Sequence, residues 1–119
     1  MKRQKVPVRL GRKVRETARF RCGFCLVSEA LIGMLMEFEH LLPIVLGGLT
    51  IESNLWLSCR TCNNAKRAQI EAHDLITNEP AALFNPRTQS WDEHFQWSAD
   101  RLEITGRTPT GRATVQPCA

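Results

Sequence analysis

Residues 22–63 read CGFCLVSEALIGMLMEFEHLLPIVLGGLTIESNLWLSCRTCN and contain two Cys-x-x-Cys pairs, Cys22-Gly-Phe-Cys25 and Cys59-Arg-Thr-Cys62. Each pair places two thiolates within reach of one ion, and two pairs supply the four sulfurs of a tetrahedral zinc site. A zinc ion with four thiolate ligands has no open coordination position for a substrate. The cysteines therefore predict a structural zinc site, and any chemistry must come from the polar residues between and just after the pairs.

The size and composition of the chain are those of one globular domain. The chain has 119 residues and a hydrophobic fraction of 43%, and its sequence shows no internal repeat or low-complexity tract. At this length a modest core can be buried, particularly when a metal ion stabilises part of it. We expect a single domain over 1–119, with a basic leading region (1–21), a zinc-stabilised core (22–77) and a C-terminal extension (78–119).

The sequence carries no recognisable targeting or membrane-spanning segment. No apolar stretch of a secretory signal follows the basic N-terminal residues. Charged residues and Pro43 interrupt the longest apolar region, 30–49, so a membrane span is not expected. We expect a soluble, cytoplasmic protein without a membrane partner. In a reducing compartment the paired cysteines favour metal over disulfides, which leaves Cys118 as a free thiol.

Positive charge is concentrated at the N-terminus. The formal net charge is +4, but residues 1–21 contain nine Lys or Arg and one Glu. Leu10, Val14 and Ala18 recur at four-residue spacing, which predicts a basic amphipathic helix over about 9–19. Such a helix can bind nucleic-acid phosphates, or it can simply be a solvated basic surface.

The residues between and after the cysteine pairs predict a strand, a loop, a second strand and a helix. Alternating side chains predict a strand over 35–40, and a short apolar run predicts another over 54–58. Pro43 and Gly47-Gly48 indicate a loop between them. Good helix formers predict a helix over about 63–73.

Glu39 and His40 offer the two chemical types that hydrolysis of a phosphodiester requires. A base must activate the attacking water, and a bound divalent cation must neutralise charge on the phosphate and the leaving oxygen. Adjacent strand residues point to opposite faces, so both can serve one site only if the strand ends or bends here. Asn63 directly follows the second cysteine pair, so zinc binding would position it relative to the strands.

The order of these residues resembles the pattern of the HNH endonuclease family. That pattern is an acid and His, a Pro-containing loop that ends in Gly-Gly, Asn-Leu, and Cys-x-x-Cys-[His or Asn] followed by Lys. The matching residues are Glu39-His40, Pro43, Gly47-Gly48, Asn54-Leu55, Cys59-Arg-Thr-Cys62-Asn63 and Lys66. The resemblance implies an α+β fold: a treble-clef-like ββα-metal finger with structural zinc, a leading helix and a short C-terminal extension.

By this resemblance the protein is a divalent-metal-dependent endonuclease that cleaves DNA, with double-stranded DNA as the expected partner. His40 would be the general base, Glu39 and Asn63 would bind the catalytic Mg²⁺ or Mn²⁺, and Asn54 would hold the loop that carries His40. Because Asn63 stands where many relatives have His, its amide oxygen favours a hard cation such as Mg²⁺. The residues expected near DNA phosphates, from charge and position, are Arg60, Lys66, Arg67, Arg12, Arg15 and Arg19.

The likeness continues into the tail, where 83–97 and 106–115 resemble a segment common in one bacterial subgroup of the family. The resemblance implies no catalytic role for this tail. Trp91, Phe95 and Trp97 are predicted to pack as core residues, in a segment compatible with helix or strand. The loop residues 44–46 are apolar where relatives often have polar or basic ones, so one DNA contact of the family is not expected here.

Other interpretations share some of these features. A zinc-stabilised nucleic-acid-binding module without cleavage would keep the basic helix but tolerate substitutions at Glu39, His40 and Asn63. A protein-interaction domain would instead use the aromatic tail. A redox role for the cysteine pairs is disfavoured, because no thioredoxin-like βαβ pattern surrounds them.

Overall fold

The computed structural model describes residues 5–66 and 68–118, with 116–118 described by their backbone only. The elements are α1 (Val8–Thr17), α2 (Glu29–Ile32), β1 (Glu37–His40), β2 (Leu55–Ser58), α3 (Arg60–Lys66), β3 (Glu71–Asp74), β4 (Glu79–Ala82), α4 (Trp91–His94), β5 (Phe95–Trp97), β6 (Ile104–Gly106) and α5 (Pro109–Cys118), with 3₁₀ turns at Ile44–Leu46 and Glu52–Asn54. Small antiparallel sheets alternate with helices, so the expected α+β class is confirmed. None of the helices in the described part of the chain is both long and apolar enough to cross a membrane.

Helix α1 packs one face against the strand pair. Pro7 precedes the helix, and its carbonyl oxygen accepts a hydrogen bond of 2.8 Å from the N–H of Gly11. Val14 is fully buried. A Cβ at Gly11 would lie 2.8 Å from the ring of Phe38, so the glycine allows α1 to approach β1 closely. The helix predicted over 9–19 is confirmed, with its C-terminal end two residues earlier.

Strands β1 and β2 and helix α3 form the ββα unit. The strands pair antiparallel, with Glu37 opposite Ser58 and His40 opposite Leu55. A single residue, Cys59, separates the end of β2 from the start of α3. Both predicted strands are confirmed, and their pairing brings the second cysteine pair back towards the start of β1.

The helix predicted over 63–73 is confirmed up to Lys66 but is wrong for residues 71–73. Residues 71–74 form strand β3, which pairs with β4. Asp74 is fully buried, and each of its carboxylate oxygens accepts a hydrogen bond of 2.8 Å from Arg112 on α5. The sheet pairing and this ionic contact outweigh the helix propensity of the local sequence.

The N-terminal, central and C-terminal parts of the described chain meet in one hydrophobic core. Its buried members are Ala18, Cys22, Phe24, Met36, Leu57, Cys59, Cys62, Phe84 and Phe95. The ring of Phe84 packs edge-on against Phe24 and Phe95, at centroid distances of 6.4 and 5.0 Å. The indole N–H of Trp91 donates a hydrogen bond of 2.9 Å to the carbonyl oxygen of Phe24. The tail, whose aromatic segment forms α4 and then β5, therefore packs against the first cysteine pair, whereas Trp97 remains half exposed.

Candidate metal centre and active site

Four cysteine thiols form a compact cluster at the edge of the core. The Sγ atoms of Cys22, Cys25, Cys59 and Cys62 all lie within 4.8 Å of one another. Those of Cys25 and Cys59 are 3.7 Å apart. Four sulfurs that each lie about 2.3 Å from a tetrahedral zinc ion would be about 3.8 Å from one another. The cluster therefore fits one zinc ion, and the fold brings the predicted four-thiolate ligand set together.

The surrounding backbone stabilises thiolate character in this cluster. The Sγ atom of Cys22 accepts a hydrogen bond from the N–H of Phe24, and the Sγ atom of Cys59 accepts one from the N–H of Cys62, both at 3.4 Å. Hydrogen bonds from the other thiols, first that of Cys25, lower the pKa of Cys22, whereas the contact with Cys22 and burial raise the pKa of Cys59. Because a metal ion must displace any thiol proton in order to bind, we expect the metal affinity to decrease as the pH falls.

A cleft of about 530 Å³ lies beside β1, α3 and the loop that follows β1. Its lining includes the three predicted side chains Glu39, His40 and Asn63, together with Glu37, which was not among the predicted site residues. Strand β1 ends at His40, and the adjacent residues Glu39 and His40 both line the cleft. The fold thus brings the predicted base and both predicted cation ligands together.

Glu39 carries the most buried carboxylate of the cleft. Only 2% of its surface is exposed, and its Oε1 atom lies 2.8 Å from Nζ of Lys66, which is itself 3% exposed. The Oε2 atom of Glu39 is buried and has no hydrogen-bond partner among the described residues. Burial raises the pKa of Glu39, and the charge of Lys66 opposes that rise. A buried carboxylate oxygen without a partner is an acceptor that a hard cation can satisfy.

Glu37 is a second carboxylate on the same side of β1. Its Oε2 atom accepts a hydrogen bond from Nδ2 of Asn63 on α3. The sequence contains a signal for it, because Glu37 and Glu39 are two residues apart and side chains at that spacing share one face of a strand. The pattern that resembles the family contains Glu39 and His40 but not Glu37.

His40 stands at the end of β1, next to the loop. Its Nε2 atom lies 3.0 Å from Oγ1 of Thr50, a hydrogen-bond distance that orients the imidazole ring. Partial burial lowers the pKa of His40 below its ordinary value. The lowered pKa favours the neutral imidazole, which is the form able to accept a proton.

Asn54 joins the two ends of the loop between β1 and β2. Its Oδ1 atom accepts a hydrogen bond of 2.8 Å from the N–H of Leu42. Its Nδ2 atom donates to the carbonyl oxygens of Leu42 and Leu49, at 3.0 and 2.9 Å. A Cβ at Gly48 would lie 1.7 Å from the carbonyl oxygen of Leu42, so a glycine is required for this close approach. The loop that contains the threonine partner of the imidazole is thus held by one amide side chain.

Three of the arginines expected near DNA are on the surface. Arg12, Arg19 and Arg60 are exposed. Arg67 lies outside the described residues, as does the side chain of Cys118. The exposed arginines come from two elements, α1 with its C-terminal turn and the first residue of α3.

Arg15 and Lys66 differ from the expectation because internal contacts occupy them. The guanidinium of Arg15 lies 4.5 Å from the ring centroid of Phe38, and its Nη2 atom donates a hydrogen bond of 3.2 Å to the carbonyl oxygen of Met36. Lys66 is buried against Glu39. Arg15 therefore joins α1 to β1, and Lys66 joins α3 to β1, instead of facing solvent.

Comparison with known proteins agrees with this geometry over the central part of the chain. Residues 21–69 match the model of the HNH endonuclease family. Comparisons with curated proteins and with solved structures find no significant match. The matched segment contains both cysteine pairs, the strand pair β1–β2, helix α3 and the four polar residues in the cleft lining. Residues 21–69 are therefore similar to the HNH endonuclease family, both in sequence and in the ββα geometry beside the cysteine cluster.

Proposed function

We propose that the protein is an endonuclease that hydrolyses phosphodiester bonds of double-stranded DNA with the help of a divalent cation. The observation that carries this proposal is the convergence of His40, Glu39 and Asn63 on one cleft. Since the buried core includes residues from before, within and after the HNH segment, we also propose that 1–119 acts as one nuclease domain.

The cleft has the donor set that a hard cation prefers. Glu39 offers the buried Oε2 atom that lacks a hydrogen-bond partner among the described residues, and Asn63 offers an amide oxygen. Carboxylate and amide oxygens suit Mg²⁺ and Mn²⁺ better than soft transition metals. A cation held there would neutralise charge on the phosphate and on the departing 3′ oxygen.

His40 is the proposed general base. If Nε2–H donates to Thr50, the lone pair of the neutral imidazole is on Nδ1, which can accept the proton of the attacking water. The hydrogen bonds of Asn54 hold the loop that positions this ring. The zinc cluster fixes the start of α3, and with it Asn63, relative to β1.

Contact with the DNA backbone is assigned to the exposed arginines Arg12, Arg19 and Arg60, and by charge and position to Arg67. These contacts would position the duplex without reading its sequence. Lys66 is instead the counter-ion of Glu39.

The test is cleavage of supercoiled plasmid by zinc-loaded protein with Mg²⁺ or Mn²⁺, and without either ion. We expect nicking or linearisation by the wild type only when the divalent ion is present. His40→Ala should reduce the rate by about 10²- to 10⁴-fold, the usual contribution of a general base. His73→Ala is the matched control, because His73 is exposed on β3 and lies outside the cleft lining.

A nucleic-acid-binding module without cleavage is the second candidate. The ion pair between Lys66 and Glu39 favours it, because an internal cation already compensates the charge of a proposed cation ligand. This candidate predicts salt-sensitive DNA binding with no cleavage in either metal. It also predicts that a His40→Ala variant that keeps the fold binds DNA like the wild type.

A further inference from the structure

We infer that Glu37 is a ligand of the divalent cation in the cleft, beside Glu39 and Asn63. The inference rests on the proposed function, because it assigns a further residue to the same cation site. Glu37 is not among the residues that carry the resemblance described above, so the inference depends on the geometry of this chain.

Two parallel cross-links join β1 to α3. In the first, Asn63 donates to Glu37; in the second, Lys66 pairs with Glu39. The two acids are two residues apart on β1, and their partners are three residues apart on α3. These spacings place both acids on one face of the strand and both partners on one face of the helix. Both carboxylates therefore lie on the side of β1 that faces α3, and both residues line the cleft.

The electrostatics favour a second carboxylate. The charge of Lys66 compensates that of Glu39, with 2.8 Å between Nζ and Oε1. A site composed of Glu39, Lys66 and the neutral amide of Asn63 would have no net charge to attract a divalent cation. Glu37 adds a negative charge to the cleft, and Mg²⁺ is commonly held by one or two carboxylates.

The arrangement also orients the other two donors. The hydrogen bond to Glu37 engages Nδ2 of Asn63, which leaves the metal-binding amide oxygen outside that contact. Lys66 holds Oε1 of Glu39, which leaves the buried Oε2 without a hydrogen-bond partner among the described residues. Glu37 thus engages the amide nitrogen of Asn63, and Lys66 engages Oε1 of Glu39. The remaining oxygen of each of these side chains is the proposed donor for the cation.

The experiment is a Mn²⁺ titration of zinc-loaded protein without DNA, in which free Mn²⁺ is measured by electron paramagnetic resonance. We expect Glu37→Gln to weaken Mn²⁺ binding by about tenfold or more, as loss of a residue at a metal site commonly does. Glu71→Gln is the matched control, because Glu71 is an exposed strand acid outside the cleft lining, and it should bind like the wild type. Unchanged binding by Glu37→Gln, or no binding by the wild type up to millimolar Mn²⁺, would overturn the inference.

A second measurement needs no variant. In wild-type protein with ¹³C-labelled glutamate, added Mg²⁺ should shift the side-chain carboxyl resonance of Glu37. A shift at Glu39 with no change at Glu37 would overturn the inference even if Glu37→Gln fails to retain zinc.

The outcomes for the two proposals are distinct. Glu37-dependent Mn²⁺ binding without plasmid cleavage would support the cation site and reject the nuclease. Cleavage that depends on His40, together with normal Mn²⁺ binding by Glu37→Gln, would support the nuclease and reject Glu37 as a ligand.

Discussion

Nζ of Lys66 on α3 lies 2.8 Å from Oε1 of Glu39 on β1, and both side chains are almost completely removed from solvent. The pair joins the helix that begins at the second cysteine pair to the strand that carries the proposed catalytic residues. It also engages Oε1 of Glu39, while the buried Oε2 has no hydrogen-bond partner among the described residues. One ionic contact therefore joins α3 to β1 and orients a carboxylate that lines the cleft.

Removal of the lysine should destabilise the fold strongly. In Lys66→Met the carboxylate of Glu39 stays buried without its counter-ion, and breaking a buried pair in this way costs roughly 3–5 kcal/mol. The measurement is urea unfolding of zinc-loaded protein. Lys13→Met is the matched control, since Lys13 lies 3.4 Å from Glu52 at an exposed position, where such pairs contribute about 0–1 kcal/mol. Equal effects of the two substitutions would contradict the importance of the buried pair.

Loss of the Asn54 amide should disturb the loop beside His40. Asn54→Ala removes three hydrogen bonds to the loop backbone, and we expect a loss of about 1–3 kcal/mol in stability. If the chain cleaves DNA, misplacement of the base should also slow cleavage by up to about 100-fold. Asn64→Ala, at an exposed position on α3, is the control. Faster amide hydrogen exchange at Leu42 in the Asn54 variant would localise the effect, whereas unchanged exchange would argue against it.

Removal of zinc should unfold the centre of the protein. The four cysteines belong to, or pack against, the main hydrophobic core, so a chelator should abolish the near-ultraviolet circular dichroism of the packed aromatic residues. Cys62→Ser should reproduce this loss and lower the bound zinc from one ion per chain. Cys118→Ser should retain zinc and fold, in keeping with its predicted state as a free thiol. Native spectra in the presence of a strong chelator would exclude a structural role for the metal.

The ion pair between buried Asp74 and Arg112 should make the stability of the fold depend on pH in the acid range. The hydrogen bonds from Arg112 hold the pKa of Asp74 below its ordinary value. A carboxyl group whose pKa is lower in the folded state stabilises the fold above its unfolded pKa, about 3.9, and this contribution is lost as the pH falls towards the folded pKa. We therefore expect Asp74→Asn to melt at a lower temperature than the wild type at pH 7, and the difference to shrink below about pH 4.

Zinc release in acid affects the wild type and the Asp74 variant alike, so the difference between their melting temperatures isolates the carboxyl group. Asp92→Asn, at an exposed position on α4, serves as the control and should follow the wild type throughout. If the difference in melting temperature between wild type and Asp74→Asn stays constant from neutral to acid pH, the pH dependence does not come from the lowered pKa of Asp74.

Local spacing was sufficient to predict the cluster of four thiols and three of the side chains that line the cleft. Each Cys-x-x-Cys pair presents two thiols to one ion, and the fold places all four sulfurs within 4.8 Å of one another. The loop with Gly47-Gly48 and the two strands beside it also follow from short-range patterns. Such patterns depend only on residues near in sequence, and for this reason they are readable before the fold is known.

The prediction of a helix up to residue 73 was wrong because the structure there depends on residues that are distant in the chain. Residues 71–74 contain good helix formers, but they pair with β4, and Asp74 is held by a residue 38 positions later in the chain. No local pattern contains that partner. Arg15 is a similar case, because its interaction with Phe38 depends on the packing of α1 against β1.

The sequence by itself determined the four-cysteine site, the order strand, loop, strand and helix, and the side chains that can supply a base and a cation ligand. These depend on ligand chemistry and on the short repeats of strands and helices. Only the tertiary structure decided that Lys66 is the counter-ion of Glu39, that Arg15 is part of the packing, and that Glu37 faces Asn63. Each of these relationships joins residues that are distant in the chain. Packing of α1 and α3 against β1 sets the distances between their side chains.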